Sequence, residues 1–126
     1  MQELSVLIVD DSSVMRKIVD RSLRQAGLKI KEVFEASNGV EALARVQQTR
    51  VDLILTDINM PAMDGLELVR QLQGVENAKG VPIVMVTTEA GEAHVVRALS
   101  SGARGYIRKP FSADQIKQRI FPLLQG

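Results

Sequence analysis

The sequence predicts an α/β fold in which one five-stranded parallel sheet is wound on both faces by helices. Three observations predict it. Short apolar runs rich in β-branched residues recur along the chain without polar alternation, as strands buried on both faces require. Helix-length segments with cap-forming residues lie between them. Strand and helix alternate strictly, which calls for parallel pairing through right-handed crossovers.

The first strand is Val6-Leu7-Ile8-Val9. A helix follows with Val14, Ile18, Ser22 and Ala26 beside Met15, Val19 and Leu23, closed by Gly27. Val33-Phe34, within the more polar stretch from Lys31 to Ala36, suits an edge strand. Asn38 can N-cap a second helix carrying Val40, Leu43 and Ala44. Leu53-Ile54-Leu55 is the third strand, and Asp64 can cap a third helix with Leu68, Val69 and Leu72 that ends near Gly74. Ile83-Val84-Met85-Val86 is the fourth strand. Its helix runs from about 90 to 101 with Val95, Val96 and Leu99, and Gly102 stops it. Tyr106-Ile107 is the fifth strand. Ser112 can cap a last helix with Ile116, Ile120, Leu123 and Leu124, which Pro122 limits or kinks. For (βα)5 the flavodoxin-like, doubly wound order 2-1-3-4-5 fits best.

Composition narrows the function. The 126 residues suit one domain, and a chain of this size buries roughly two thirds of its unfolded surface. With 45% hydrophobic and 25% charged residues it is not a disordered chain. It has no cysteine and a single histidine, His94. Thiol chemistry, cysteine-ligated metals and multi-histidine sites are therefore excluded. Sixteen basic residues balance fifteen acidic ones, and aromatics are only 3% with no tryptophan. Neither a nucleic-acid arm nor a base-stacking platform is present. The start, Met1-Gln2-Glu3-Leu4, lacks a basic leader, and no apolar run reaches membrane-spanning length. The expectation is a cytoplasmic protein without membrane insertion.

The polar residues that stand out all follow strands. Asp10 and Asp11 follow the first, Asp57 the third, Thr87 the fourth and Lys109 the fifth. Parallel strands end on one side, so these residues converge on one sheet edge, at the switch point where such folds place ligands. Clustered carboxylates repel and need a cation. Oxygen donors without nitrogen or sulfur select a hard ion, and few carboxylates plus water suit Mg2+. A carboxylate nucleophile, a metal, a lysine and a hydroxyl are together the parts that phosphoryl transfer to an aspartate requires.

The stretches Val9-Asp10-Asp11-Ser12, Thr56-Asp57-Ile58-Asn59-Met60-Pro61-Ala62-Met63-Asp64-Gly65, Val86-Thr87 and Gly102-Ala103-Arg104-Gly105-Tyr106-Ile107-Arg108-Lys109-Pro110-Phe111 resemble, in this order and spacing, the receiver domain of two-component response regulators. The resemblance covers essentially residues 1–126 and implies a single stand-alone receiver with no output domain. It implies that Asp57 is the phosphoacceptor. Asp11, Asp57 and the backbone carbonyl of Asn59 would hold Mg2+, with Asp10 acting through water. Lys109 would pair with the phosphoryl group, across a cis Lys109-Pro110 bond, and Thr87 and Tyr106 would form the switch pair. Asn59 and Glu89 occupy family positions that tune dephosphorylation. Thr88 departs from the smaller residue usual there, and its β-branch narrows access to the phosphoryl group.

The implied protein is no enzyme beyond accepting and losing its own phosphoryl group. It would take that group from a sensor histidine kinase, change the face made by its fourth helix, fifth strand and fifth helix, and meet a downstream target there, with a phosphatase as a further possible partner. Six bases against two acids in residues 90–126 suit either such a face or plain solvated surface. Ser13-Val14-Met15-Arg16-Lys17 and the short length resemble chemotaxis receivers. Other readings are a phosphorelay intermediate, a haloacid-dehalogenase-like phosphatase and a flavodoxin-like FMN carrier. The phosphatase would want an aspartate where Asn59 stands, and Asp10-Asp11 would repel a flavin phosphate.

Overall fold

The computed structural model describes residues 3–88 and 92–124, the side chains of Glu92, His94 and Val95 excepted. Their order is β1 (Leu4–Val9), α1 (Ser13–Gln25), β2 (Ile30–Ala36), α2 (Gly39–Gln48), β3 (Leu53–Thr56), α3 (Gly65–Leu72), a 3-10 turn (Glu76–Ala78), β4 (Ile83–Thr87), α4 (Glu92–Ser101), β5 (Gly105–Arg108), α5 (Ala113–Arg119) and α6 (Phe121–Leu124). All strand pairs are parallel, in the order β2-β1-β3-β4-β5.

The two-residue period of a strand divides the interior into two layers. Leu7, Val9, Ile54, Ile83 and Met85 face α2, α3 and α4, where Ala42, Val46, Leu68, Val69, Leu72 and Ala98 meet them. Val6, Ile8, Leu53, Leu55, Val84 and Val86 face α1 and α5, meeting Val19, Leu23, Ile116 and Ile120. Strands in this position read as continuous apolar runs because both of their faces are covered.

The caps form as the sequence predicts. Asn38, Asp64 and Ser112 each accept a backbone N–H three residues on, and at Ser112 the Gln115 side chain completes a reciprocal pair. Gly27 and Gly102 take the left-handed backbone, with φ of 98° and 123°, that ends a helix. Pro122 has no N–H, and the last helical stretch is broken at Ile120 into α5 and α6.

The helix faces differ from the predicted stripes. Val14 and Ile18 are 67% and 46% exposed, and the core-facing row of α1 is Val19, Leu23 and Ala26 with Met15. Val40 is exposed on α2, where Gly39, Ala42 and Val46 are buried. Val96 and Leu99 are exposed on α4, where Ala98 is buried. One residue turns a helix by about 100°, so two adjacent apolar rows read as one stripe until packing selects between them. The predicted start of α4 near residue 90 and the placements of His94 and Val95 lie outside the described residues.

Candidate functional site

The parallel ladder continues one residue past the strands and positions the site. Asp10 N donates to Ala36 O (3.0 Å), Asp57 N to Val9 O (2.9 Å) and Lys109 N to Thr87 O (2.8 Å). Each side chain of interest therefore starts from the same sheet edge. The Lys109-Pro110 peptide is cis.

Carboxylate oxygens of Asp10, Asp11 and Asp57 lie within 4.8 Å of one another. Asp10 is buried, Asp57 half-buried and Asp11 exposed. Both Asp10 oxygens are engaged: Oδ1 accepts from Ser12 N (2.9 Å) and Oδ2 from Lys109 Nζ (2.8 Å). Asp57 Oδ1 accepts from Ile58 N (2.8 Å), while Oδ2 stands 3.8 Å from Lys109 Nζ. The ammonium thus lies between two carboxylates, closer to Asp10.

Burial pushes the Asp57 carboxyl above its usual range, Lys109 pulls it back, and the charges of Asp10 and Asp11 push it up again. The cluster is short of positive charge. Three oxygen donors with one exposed member can hold a hard cation and leave room for its water.

Lys109 and Asp10 form a buried pair, their side chains 10% and 6% exposed. Removing one member leaves the other charged and unpaired. Lys109→Met should therefore cost about 3 kcal/mol of stability without metal, and Mg2+ should restore part of it. Urea unfolding with and without Mg2+ measures both, and an unchanged midpoint would show that Asp10 is solvated instead.

Thr87 is buried at the end of β4. Tyr106, on the neighbouring strand, is half-buried with its ring against the α2–α4 core layer. The Arg119 guanidinium of α5 stacks on that ring, 4.9 Å from its centroid. Asn59 and Thr88 are exposed beside the site, and Glu89 lies outside the described residues.

Two contributors were not legible as such. A Cβ on Gly65 would strike the backbone carbonyl of Asp57; its dipeptide Asp64-Gly65 signals a loop and a cap but not that contact. Arg16 reaches back from α1, and Nη1 donates to Asp10 O (2.6 Å). A cation six residues after Asp10 was the available signal.

The comparisons with known proteins agree with this geometry. The response regulator receiver domain model matches residues 6–121. The chain belongs to this family. Chemotaxis protein CheY1 of Helicobacter pylori is 40% identical over 118 residues, 93% of this chain and 94% of that protein. The high-resolution structure of the chemotaxis response regulator CheY4 of Vibrio cholerae superposes with a TM-score of 0.85 at 36% identity, covering 98% of this chain and 100% of that one. The receiver domain of a Pseudomonas aeruginosa sensor histidine kinase, with magnesium in its active-site cleft, matches at TM-score 0.81 and 27% identity over 98% and 97% of the two chains. The receiver is a phospho-accepting signalling switch, which sets aside the dehalogenase-like and flavin-carrier readings. Among the described residues no helix is long and apolar enough to cross a membrane.

Proposed function

We propose that the receiver takes a phosphoryl group onto Asp57 from a phosphohistidine of a sensor kinase, with Mg2+ bound. The observation that carries this is the set of three carboxylates within 4.8 Å of one another with the Lys109 ammonium 3.8 Å from Asp57 Oδ2. A carboxylate oxygen of Asp57 attacks phosphorus, the P–N bond breaks, and its electron pair stays on the departing imidazole. Mg2+, when bound, supplies the charge that lets a phosphoryl group approach three carboxylates. Asp11, Asp57 and the carbonyl of Asn59 are its proposed ligands, with Asp10 contributing through water. The magnesium in the Pseudomonas neighbour supports that choice. Lys109 leaves its balance between Asp10 and Asp57 to pair with the arriving phosphoryl oxygens.

The Thr87 hydroxyl then turns to the new acceptor, and Tyr106 follows into the space behind it. This reshapes the surface of α4, β5 and α5, where Val96 and Leu99 stand exposed. That face is the proposed contact for the downstream target. Asn59, Thr88 and Glu89 set how long the acyl phosphate lasts against its own hydrolysis or a phosphatase. The names of the Helicobacter and Vibrio relatives support a place in chemotaxis signalling in the cytoplasm. Residues 1–126 act as one receiver unit. Phosphoryl transfer from Asp57 to a phosphotransfer-protein histidine would favour the phosphorelay variant.

The chain has one tyrosine and no tryptophan, so its tyrosine emission reports Tyr106 alone. Acetyl phosphate with Mg2+ should add one base-labile phosphoryl group and change that emission. Thr87→Ala should be labelled while its emission stays constant. Equal emission changes in both proteins would mean that Tyr106 is driven by another route, and absence of labelling in the wild type would overturn the reading.

A further inference from the structure

Arg16 sits in the first turns of α1, its N–H donating to Ser12 O (3.0 Å). A cation near a helix N-terminus opposes the helix dipole, so its placement requires a compensating partner. The side chain is 15% exposed and bridges two elements: Nε lies 2.8 Å from Glu35 Oε1 on β2, and Nη1 lies 2.6 Å from the backbone oxygen of Asp10.

That second bond completes Asp10. Its N–H is held by Ala36 O, its carboxylate by Ser12 N and Lys109 Nζ, and its carbonyl by Arg16. The peptide that begins at that carbonyl ends at the nitrogen of Asp11. Because the peptide is planar, holding the carbonyl orients the whole unit. Asp11 itself is exposed, so the direction of this peptide governs where its carboxylate stands relative to Asp57.

We propose that Arg16, anchored by Glu35, is a positioning residue that orients the Asp10–Asp11 peptide and so holds the Asp11 carboxylate in reach of the metal. The inference rests on the Mg2+-binding reading above. Arg16 is a cation beside a divalent cation site, so by charge alone its loss would tighten Mg2+ binding. By orientation its loss loosens binding. Lysine keeps the charge but cannot reach both acceptors with one fork, so Arg16→Lys separates the two effects.

The test is a Mg2+ titration of the full chain followed by NMR at the Asp11 and Ser12 amides. The Asp11 amide should already be shifted in both metal-free variants. The Mg2+ dissociation constant should rise about tenfold for Arg16→Ala and nearly as much for Arg16→Lys, the loss typical of residues that orient a metal ligand. Saturating Mg2+ should restore the rate of labelling by acetyl phosphate, placing the defect in metal uptake. Glu35→Gln, at a side chain 41% exposed, should weaken binding in the same direction by less, and it carries the test if Arg16→Ala fails to fold. Unchanged or tighter Mg2+ binding in Arg16→Lys and Glu35→Gln overturns the role of Arg16. A wild-type protein that takes up no Mg2+ overturns the metal reading and this inference together.

Discussion

Asp57→Asn should abolish labelling by acetyl phosphate and Mg2+, and at pH 7 without metal it should melt at a higher temperature than the wild type. Both effects come from one side chain. The Asp57 carboxyl is held above its usual range chiefly by burial, with Lys109 opposing and Asp10 and Asp11 adding repulsion. Its ionised form therefore costs the folded state free energy. That cost is absent below the unfolded-state value, near pH 4, and appears as pH rises through the higher folded value. At pH 7, above the unfolded-state value, the cost is present. Asparagine keeps the shape and an oxygen for Ile58 N but carries no charge.

The stability gap should close as the pH is lowered below about 4. It should also narrow when Mg2+ is added, because a ligand at ten times its dissociation constant contributes about 1.4 kcal/mol to the protein that binds it. Calorimetry across pH, with and without Mg2+, measures each part. Labelling of the variant would place the acceptor elsewhere, and a lower melting temperature at pH 7 would mean that attraction to Lys109 outweighs burial.

Gly65→Ala, at the first residue of α3, should strongly destabilise the protein and displace the end of β3. Gly65 N donates to Ile58 O at 2.7 Å, drawing the start of α3 onto the strand end. A Cβ there would meet backbone alone, the Asp57 carbonyl and Ile58 Cα, and no flexible side chain can give way. The expected cost is about 3 kcal/mol, the upper part of the range for overpacking, with slower labelling because Asp57 must shift. Gly27→Ala is the control. Nothing lies within 4 Å of its added Cβ, and only its φ of 98° is penalised, at about 1 kcal/mol. Urea midpoints for the two variants separate the effects, and wild-type labelling by Gly65→Ala would show that the loop can retreat without moving Asp57.

Much of this fold is legible locally. The runs at Val6, Leu53 and Ile83 announce covered strands because they lack polar alternation, and Asn38, Asp64 and Ser112 announce helix starts because short oxygen side chains reach the first N–H groups. The convergence of Asp10, Asp11, Asp57 and Lys109 follows from parallel pairing alone. What local pattern does not carry is the choice between neighbouring helix rows. Val14 and Val19 are equally apolar, and only the angle at which α1 packs on β1 and α5 buries one and exposes the other. Contacts between a side chain or Cβ and a backbone atom of another element are nearly as silent: a cation six residues after Asp10 hints at Arg16 without showing that it reaches the Asp10 carbonyl, and Asp64-Gly65 does not show the contact with Asp57.

The main-chain bonds that pin Asp10, Asp57 and Lys109 to the sheet have a consequence for how such proteins diversify. The atoms that fix these residues in space are an amide and a carbonyl, which every amino acid but proline supplies in full. Arg16 on the Asp10 carbonyl apart, neither the identity of the helix exteriors nor their charge enters into that anchoring. The outer rows of α4 and α5 are consequently at liberty to drift or to be exchanged wholesale without disturbing those main-chain anchors, while the reactive corner keeps its shape. An engineer could therefore graft foreign outer rows onto α4 and α5 and leave the main-chain frame of the reactive corner untouched.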